Sequence, residues 1–211
     1  MHEQARMFTL WVKTICNPFF EHCRVLDVGS GDINGNNEHL FDSCVYDGND
    51  VIAAKNVTVV SPTHLLSFPP CTFDTIISTE CFEHDPEYVA SWKKIYELLK
   101  PGGLFVFTCA STGRPEHGTR RTTPHDSWGT IGDVVSMRDY YKNLTVADLS
   151  AVFDLNTMFS VWDAYFNASS HDLYFVGIKV AAGASFIQPL ITYTAPHVVC
   201  TSGNVSAKHV T

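Results

Sequence analysis

No apolar run in this chain reaches the ~18 residues that a membrane-crossing helix needs, so nothing in it reads as a transmembrane span. A secretory leader pattern is missing too. Residues 3–16 are broken by Glu3, Arg6 and Lys13, while Phe8, Trp11, Val12 and Ile15 fall on one helical face, which predicts a helix packed on the domain. No Cys-x-x-Cys pair occurs among Cys16, Cys23, Cys44, Cys71, Cys81, Cys109 and Cys200, which argues against a zinc site or a disulfide framework and for reduced thiols in a cytoplasmic protein. The Asn-x-Ser/Thr triplets at Asn56, Asn143, Asn167 and Asn204 are then chance matches. Basic runs are short, none longer than Arg120-Arg121, and the net charge is −8. A duplex-binding groove carries a cationic excess, so neither nucleic acid nor a membrane is expected as partner. Internal repeats are absent, and 211 residues with 45% hydrophobic content suit one domain with a proper core.

What is present alternates between strand-like and helix-like segments. Strands are predicted at Val25–Val28, Ser43–Tyr46, Val57–Val60, Phe73–Ser78 and Leu104–Cys109, with a short helix at Asn36–Phe41. The nearly unbroken apolar run at 73–78 is what a strand buried on both faces requires. A longer helix is predicted from Asp85-Pro86, with Asp85 as N-cap and Trp92, Ile95, Leu98 and Leu99 on its inner face, until Pro101-Gly102-Gly103 stops it. Residues 111–138 lack periodicity and read as a loop over a pocket. Thr145 with Asp148 predicts a capped helix to Phe153, and Phe159–Phe166 with Leu173–Val180 an antiparallel pair. The order is that of a parallel α/β sandwich.

The most informative stretch is Val-Leu-Asp-Val-Gly-Ser-Gly at 25–31, an apolar strand ending in Asp27 and breaking into a glycine turn. Gly29 and Gly31 leave the backbone N–H groups open to a nucleotide-like ligand. Asp47 follows about twenty residues later, where a carboxylate can grip a ribose diol. Together with the Phe73–Thr79 strand, Lys100-Pro101-Gly102-Gly103 and the late hairpin, these residues resemble class I S-adenosylmethionine-dependent methyltransferases over roughly residues 23–180. The resemblance implies a Rossmann-like three-layer α/β sandwich, with a mostly parallel seven-stranded sheet and a C-terminal antiparallel hairpin. It implies one domain at 1–180, comprising a helical extension at 1–22 and a substrate lid at 111–138, followed by a tail at 181–211.

The same resemblance implies S-adenosyl-L-methionine as cofactor. Asp27, Gly29, Ser30 and Gly31 would meet its methionine part, Asp47 and Gly48 its ribose side, Thr63 and His64 its adenine edge, and Ser78, Thr79 and Glu80 the methyl donor. Three departures stand out: Ile33 replaces the family's third glycine, Pro62 the adenine-binding acid, and Gly48 the apolar residue after the ribose acid. A dinucleotide oxidoreductase fits less well, because Gly29-x-Gly31-x-x-Asn34 lacks that third glycine. Pro69-Pro70-Cys71 precedes the fourth strand and reads as a turn, and Ser-Thr-Glu-Cys at 78–81 is not an amino-methylation signature.

His84, His117 and His125 are the candidate bases, since an alcohol needs help to lose its proton. Arg114, Arg121, Asp126, Trp128, Tyr140 and Tyr141 are the candidate substrate contacts. The runs at 78–86 and 108–118 resemble stand-alone methyltransferases associated with glycan biosynthesis, which implies O-methylation of a small molecule or a deoxyhexose-type sugar hydroxyl. A protein or nucleic-acid methyltransferase and a noncatalytic binding module are the alternatives, and a homodimer is compatible with either. The spacing of acids and histidines establishes no metal site.

Overall fold

The computed structural model describes residues 1–181 and 193–203. Eight strands form one sheet: β1 (Arg24–Val28), β2 (Val45–Asp50), β3 (Val59–Val60), β4 (Phe73–Thr79), β5 (Leu99–Ala110), β6 (Phe159–Asn167), β7 (Asp172–Lys179) and β8 (Val198–Gly203). Their order is β3-β2-β1-β4-β5-β7-β6-β8. The pairings from β3 to β5 are parallel, and those among β5, β7, β6 and β8 are antiparallel. The expected Rossmann-like sandwich with its closing hairpin is what forms. β8 adds an edge strand from a tail that carried no strand signal, and the apolar piece at 186–193 lies outside the described residues except for Tyr193.

Each face of the sheet is covered by a helix whose apolar stripe matches it. Helix α1 (Glu3–Ile15) sets Phe8 and Val12 against Val106, Tyr165, Tyr174 and Val176, with the Phe8 and Tyr174 rings stacked at 4.6 Å. Helix α2 (Tyr88–Leu98) sets Trp92, Ile95 and Leu98 against Phe82 and Phe107 on the opposite face. Burying an aromatic or aliphatic side chain of this size is worth ~1.5–3 kcal/mol, so these two stripes anchor the layers. Among the described residues no disulfide joins any of the seven cysteines. Among the described residues no helix is long and apolar enough to cross a membrane.

Several local expectations shift. β2 starts at Val45 and runs to Asp50, because β1 holds three poor strand formers in the ladder, Asp47 opposite Leu26, Gly48 opposite Asp27 and Asn49 opposite Val28, and β3 pairs with Asp50. α2 begins at Tyr88. The Asp85 carboxylate instead accepts the Glu87 N–H at 2.8 Å and the Ser91 hydroxyl at 2.5 Å. The segment at 36–41 holds only a 3-10 turn, Glu38–Leu40. β5 begins before the Pro-Gly-Gly stop. Phe73 pairs with Leu99 but Thr75 with Leu104, so Lys100–Gly103 bulges out between them.

The capping box is present: the Thr145 N–H donates to Asp148 Oδ2 at 2.9 Å, at the head of α4 (Val146–Val152). A further turn of helix, α5 (Leu155–Met158), leads into β6. The 111–138 segment is not bare loop. It contains 3-10 turns at Pro124–Asp126 and Val135–Met137 around a single helical turn, α3 (Trp128–Ile131).

Candidate active site

The carboxyl ends of β1, β2 and β4 open into a cavity of about 220 Å³, roofed by the 111–138 segment and by the start of α1. Its floor is the glycine bend. Gly29 has φ +73, and a Cβ there would lie 2.6 Å from the Cys81 side chain. A Cβ on Gly31 would lie 2.4 Å from the Trp128 indole. Glycine is required at both positions, by backbone conformation at the first and by close approach at both. The bend is fastened to β2: Gly29 and Ser30 donate their N–H groups to Asn49 O at 2.8 and 3.0 Å, and Gly31 donates to Asp50 Oδ2 at 3.0 Å. Asp50 Oδ1 also accepts the Val51 N–H at 2.7 Å. Burial raises the Asp50 carboxyl above its ordinary range, against the pull of these two N–H groups.

Asp27 is buried beneath the bend and accepts from the Tyr46 hydroxyl and from Asn37 Nδ2 at 3.1 Å. Burial pushes its pKa up to about 7 despite those bonds. A smaller recess continues past Gly29, Asp50 and Cys81 to Val51, Pro62, Thr63 and His64.

The opposite wall carries two imidazoles. His84 and His117 have ring centroids 5.0 Å apart and perpendicular planes, and Tyr141 lies 5.0 Å from His117. Burial, then the neighbouring His117, lowers the His84 pKa to about 3, so its ring is neutral near pH 7. His117 Nδ1 is 3.2 Å from Pro115 O, and a carbonyl only accepts, so Nδ1 is the donor and, in the neutral ring, Nε2 is the nitrogen with the lone pair. Glu83 beside them is fully buried. Burial and the charge of Glu80 push its carboxyl well above the usual range.

At the roof, His2 Nε2 stands 3.0 Å from Asp172 Oδ2 and 3.3 Å from Glu80 Oε2. Burial opposes its charge, but the two carboxylates outweigh that and lift its pKa to about 10.

Residues 26–107 match the profile of a family described as a methyltransferase domain. The chain is a methyltransferase. Solved structures share its fold at low identity. One is a Burkholderia thailandensis 1,6-didemethyltoxoflavin-N1-methyltransferase with bound 1,6-didemethyltoxoflavin and S-adenosylhomocysteine, at TM-score 0.58 and 17% identity, covering 84% of this chain and 78% of that one. Another is Haemonchus contortus phosphoethanolamine N-methyltransferase 2 with S-adenosyl-L-methionine, at TM-score 0.54 and 16% identity over 82% of this chain and 53% of that one. A third, the CurJ carbon methyltransferase, gives TM-score 0.50 and 15% identity over 77% and 50%. At such identities the likeness shows the fold alone. No curated protein matches the sequence.

Within this methyltransferase, Asp27, Gly29, Ser30, Gly31, Thr79, Glu80, His84, Arg114, His117, Asp126 and Trp128 line the main cavity, and Thr63 and His64 line the recess. Others fall elsewhere. Asp47 lies opposite Leu26 in mid-strand and pairs with Arg24 at 3.1 Å, away from the cavity. The β2 carboxylate at the cavity is Asp50, because β2 extends four residues past its last apolar letter, Tyr46. Gly48 packs against the chain at Asn56, whose carbonyl would lie 2.0 Å from an added Cβ. Ser78 is buried inside β4 and donates to Val28 O at 2.8 Å.

His125 is exposed on its 3-10 turn, and Arg121 pairs with Glu116 at 2.8 Å on the surface. Tyr140 lines neither space, and Tyr141 meets the imidazoles from behind. Sequence reasoning missed Asp50, Cys81, Glu83 and His2. Only Asp50-Val51 carried a signal, an acid followed by an apolar residue.

Proposed function

We propose that this methyltransferase places the methyl group of S-adenosylmethionine on a hydroxyl oxygen of a small molecule or glycan, with a deoxyhexose-type sugar hydroxyl as the leading acceptor and His117 as proton acceptor. The cofactor supplies a methyl group already activated by the sulfonium charge, which leaves alignment and proton removal to the protein. The residues at the cavity suit that cofactor. The glycine bend offers its backbone without side chains in the way, Asp50 offers a carboxylate for a ribose diol, and Val51 offers an apolar flank beside Thr63 and His64. Trp128 Nε1 and Asn37 Oδ1 are buried without partners and would gain them from a polar ligand.

The observation that carries the reading is the imidazole pair on the wall facing this floor. His84 is buried and held neutral, a weak base. His117 is half-buried, with its Nδ1 proton committed to Pro115 O and its Nε2 free to accept. A positioned general base contributes ~10²–10⁴-fold in rate. The roof formed by the 111–138 segment favours a small acceptor over a polymer, and the net charge of −8 disfavours nucleic acid.

The test is incubation with methyl-labelled S-adenosylmethionine and a panel of sugars and glycans, read by mass spectrometry. Label on a hydroxyl oxygen is expected. Label found only on nitrogen or carbon acceptors would overturn the oxygen assignment.

A further inference from the structure

Glu83, buried beside the cavity-lining His84, is a polar side chain that the transfer leaves unexplained. It is fully buried, and neither carboxylate oxygen has a hydrogen-bond partner; its own N–H and that of Ala110 come near without bonding geometry. A buried carboxylate left in this condition is unfavourable and calls for a proton or a cation. The neighbouring acids are already satisfied. Glu80 faces His2 and accepts the Thr108 hydroxyl at 2.8 Å, and Asp172 is shared between His2 and Arg114.

Beside Glu83, His84 has a buried Nδ1 that also lacks a partner. The lid brings His117 to the same point. Gly118, at φ +63, permits the approach, since a Cβ there would lie 2.6 Å from the His84 ring. One donor atom from each of Glu83, His84 and His117 lies within 4.8 Å of the other two.

We propose that Glu83, His84 and His117 bind one divalent transition-metal ion whose open coordination positions face the cavity. Ligands ~2.0–2.2 Å from such an ion stand roughly 3–4 Å apart, so a small rotation of half-buried His117 closes the set. Two imidazoles with one carboxylate suit Mn²⁺, Co²⁺ or Zn²⁺, whereas Mg²⁺ and Ca²⁺ prefer all-oxygen sites. Three protein ligands leave positions for oxygen ligands from outside, and adjacent hydroxyls of a sugar fit them. Pro115 O, by holding the Nδ1 proton of His117, fixes the tautomer in which Nε2 can ligate.

Only the use of the open positions rests on the methyl-transfer reading. Without the ion His117 Nε2 takes the alcohol's proton; with it, the metal would lower the pKa of a bound alcohol and let that proton pass to water while His117 holds the metal, so the side chain serves the transfer in either state.

The experiment titrates chelator-stripped protein with Mn²⁺ and with Co²⁺, by calorimetry and visible absorption, with no methyl donor present. A failure of methyl transfer therefore cannot alter its result. One ion per chain is expected, with affinity at least about tenfold weaker in Glu83→Gln and in His117→Ala. His117 is half-buried on the lid, so its variant carries the test if Glu83→Gln unfolds. Absence of stoichiometric binding, equal affinity in the folded variants, or a Co²⁺ spectrum dominated by thiolate charge transfer would overturn the site.

Discussion

The Gly31 N–H donates to Asp50 Oδ2 at 3.0 Å, so the end of β2 and the glycine bend form one rigid corner. Asp47, three residues earlier, is bound to Arg24 instead. Asp50→Ala is expected to weaken S-adenosylmethionine binding about 10- to 100-fold, the value of hydrogen bonds to a charged group at ~1.5–3 kcal/mol. Asp47→Ala should stay within about twofold, since its pair is partly exposed. Calorimetry on both variants decides, and the reverse ranking would return the ribose role to Asp47.

The histidines separate by position. His117→Ala is expected to lower kcat by ~10²–10⁴ with cofactor affinity retained. His125, exposed and away from the cavity, should be replaceable by alanine with full turnover. Steady-state kinetics of the two variants are the check, and equal activities would remove His117 from the chemistry.

Gly29 carries φ +73 and packs against Cys81. Gly29→Ala puts a side chain into a left-handed backbone and into that contact, at ~1–3 kcal/mol of strain. For a chain of this length Tm falls about 2–4 °C for each kcal/mol. An unchanged melting curve would show that the bend relaxes freely.

Asp27 gives a pH dependence of definite sign. Burial holds its folded pKa at about 7, against ~3.9 in an unfolded chain. Between those values the folded protein keeps a proton that the unfolded chain has released. The stability contributed by the neutral carboxyl is therefore complete at acid pH and is lost as pH rises through about 7. Asp27→Asn does not titrate, so its stability relative to the wild type should grow from about pH 5 to about pH 8 in urea unfolding. A constant or shrinking gap would mean that Asp27 is charged throughout.

Much of the fold was legible because it is local. The apolar 73–78 run, the glycine turn at 29–31, the Thr145–Asp148 cap and the 159–180 hairpin depend on neighbouring residues, and each formed where its letters placed it. Asp50 was hidden because Gly48, Asn49 and Asp50 are weak strand formers, held in the sheet by the pairing of Gly48 and Asn49 with β1 and of Asn49 and Asp50 with β3.

By itself the sequence determined the order of elements, the two apolar stripes and the glycines on which the cavity floor rests. Only the tertiary structure decided which acid ends β2 at the cavity, that His2 enters the site from the far end of the chain, and that Glu83 meets His84 and His117. The reason is physical. Turns and caps are settled by backbone conformation over a few residues, but the direction of a strand side chain follows the pairing register, and a charged cluster gathers from segments that meet only once the sheet has closed.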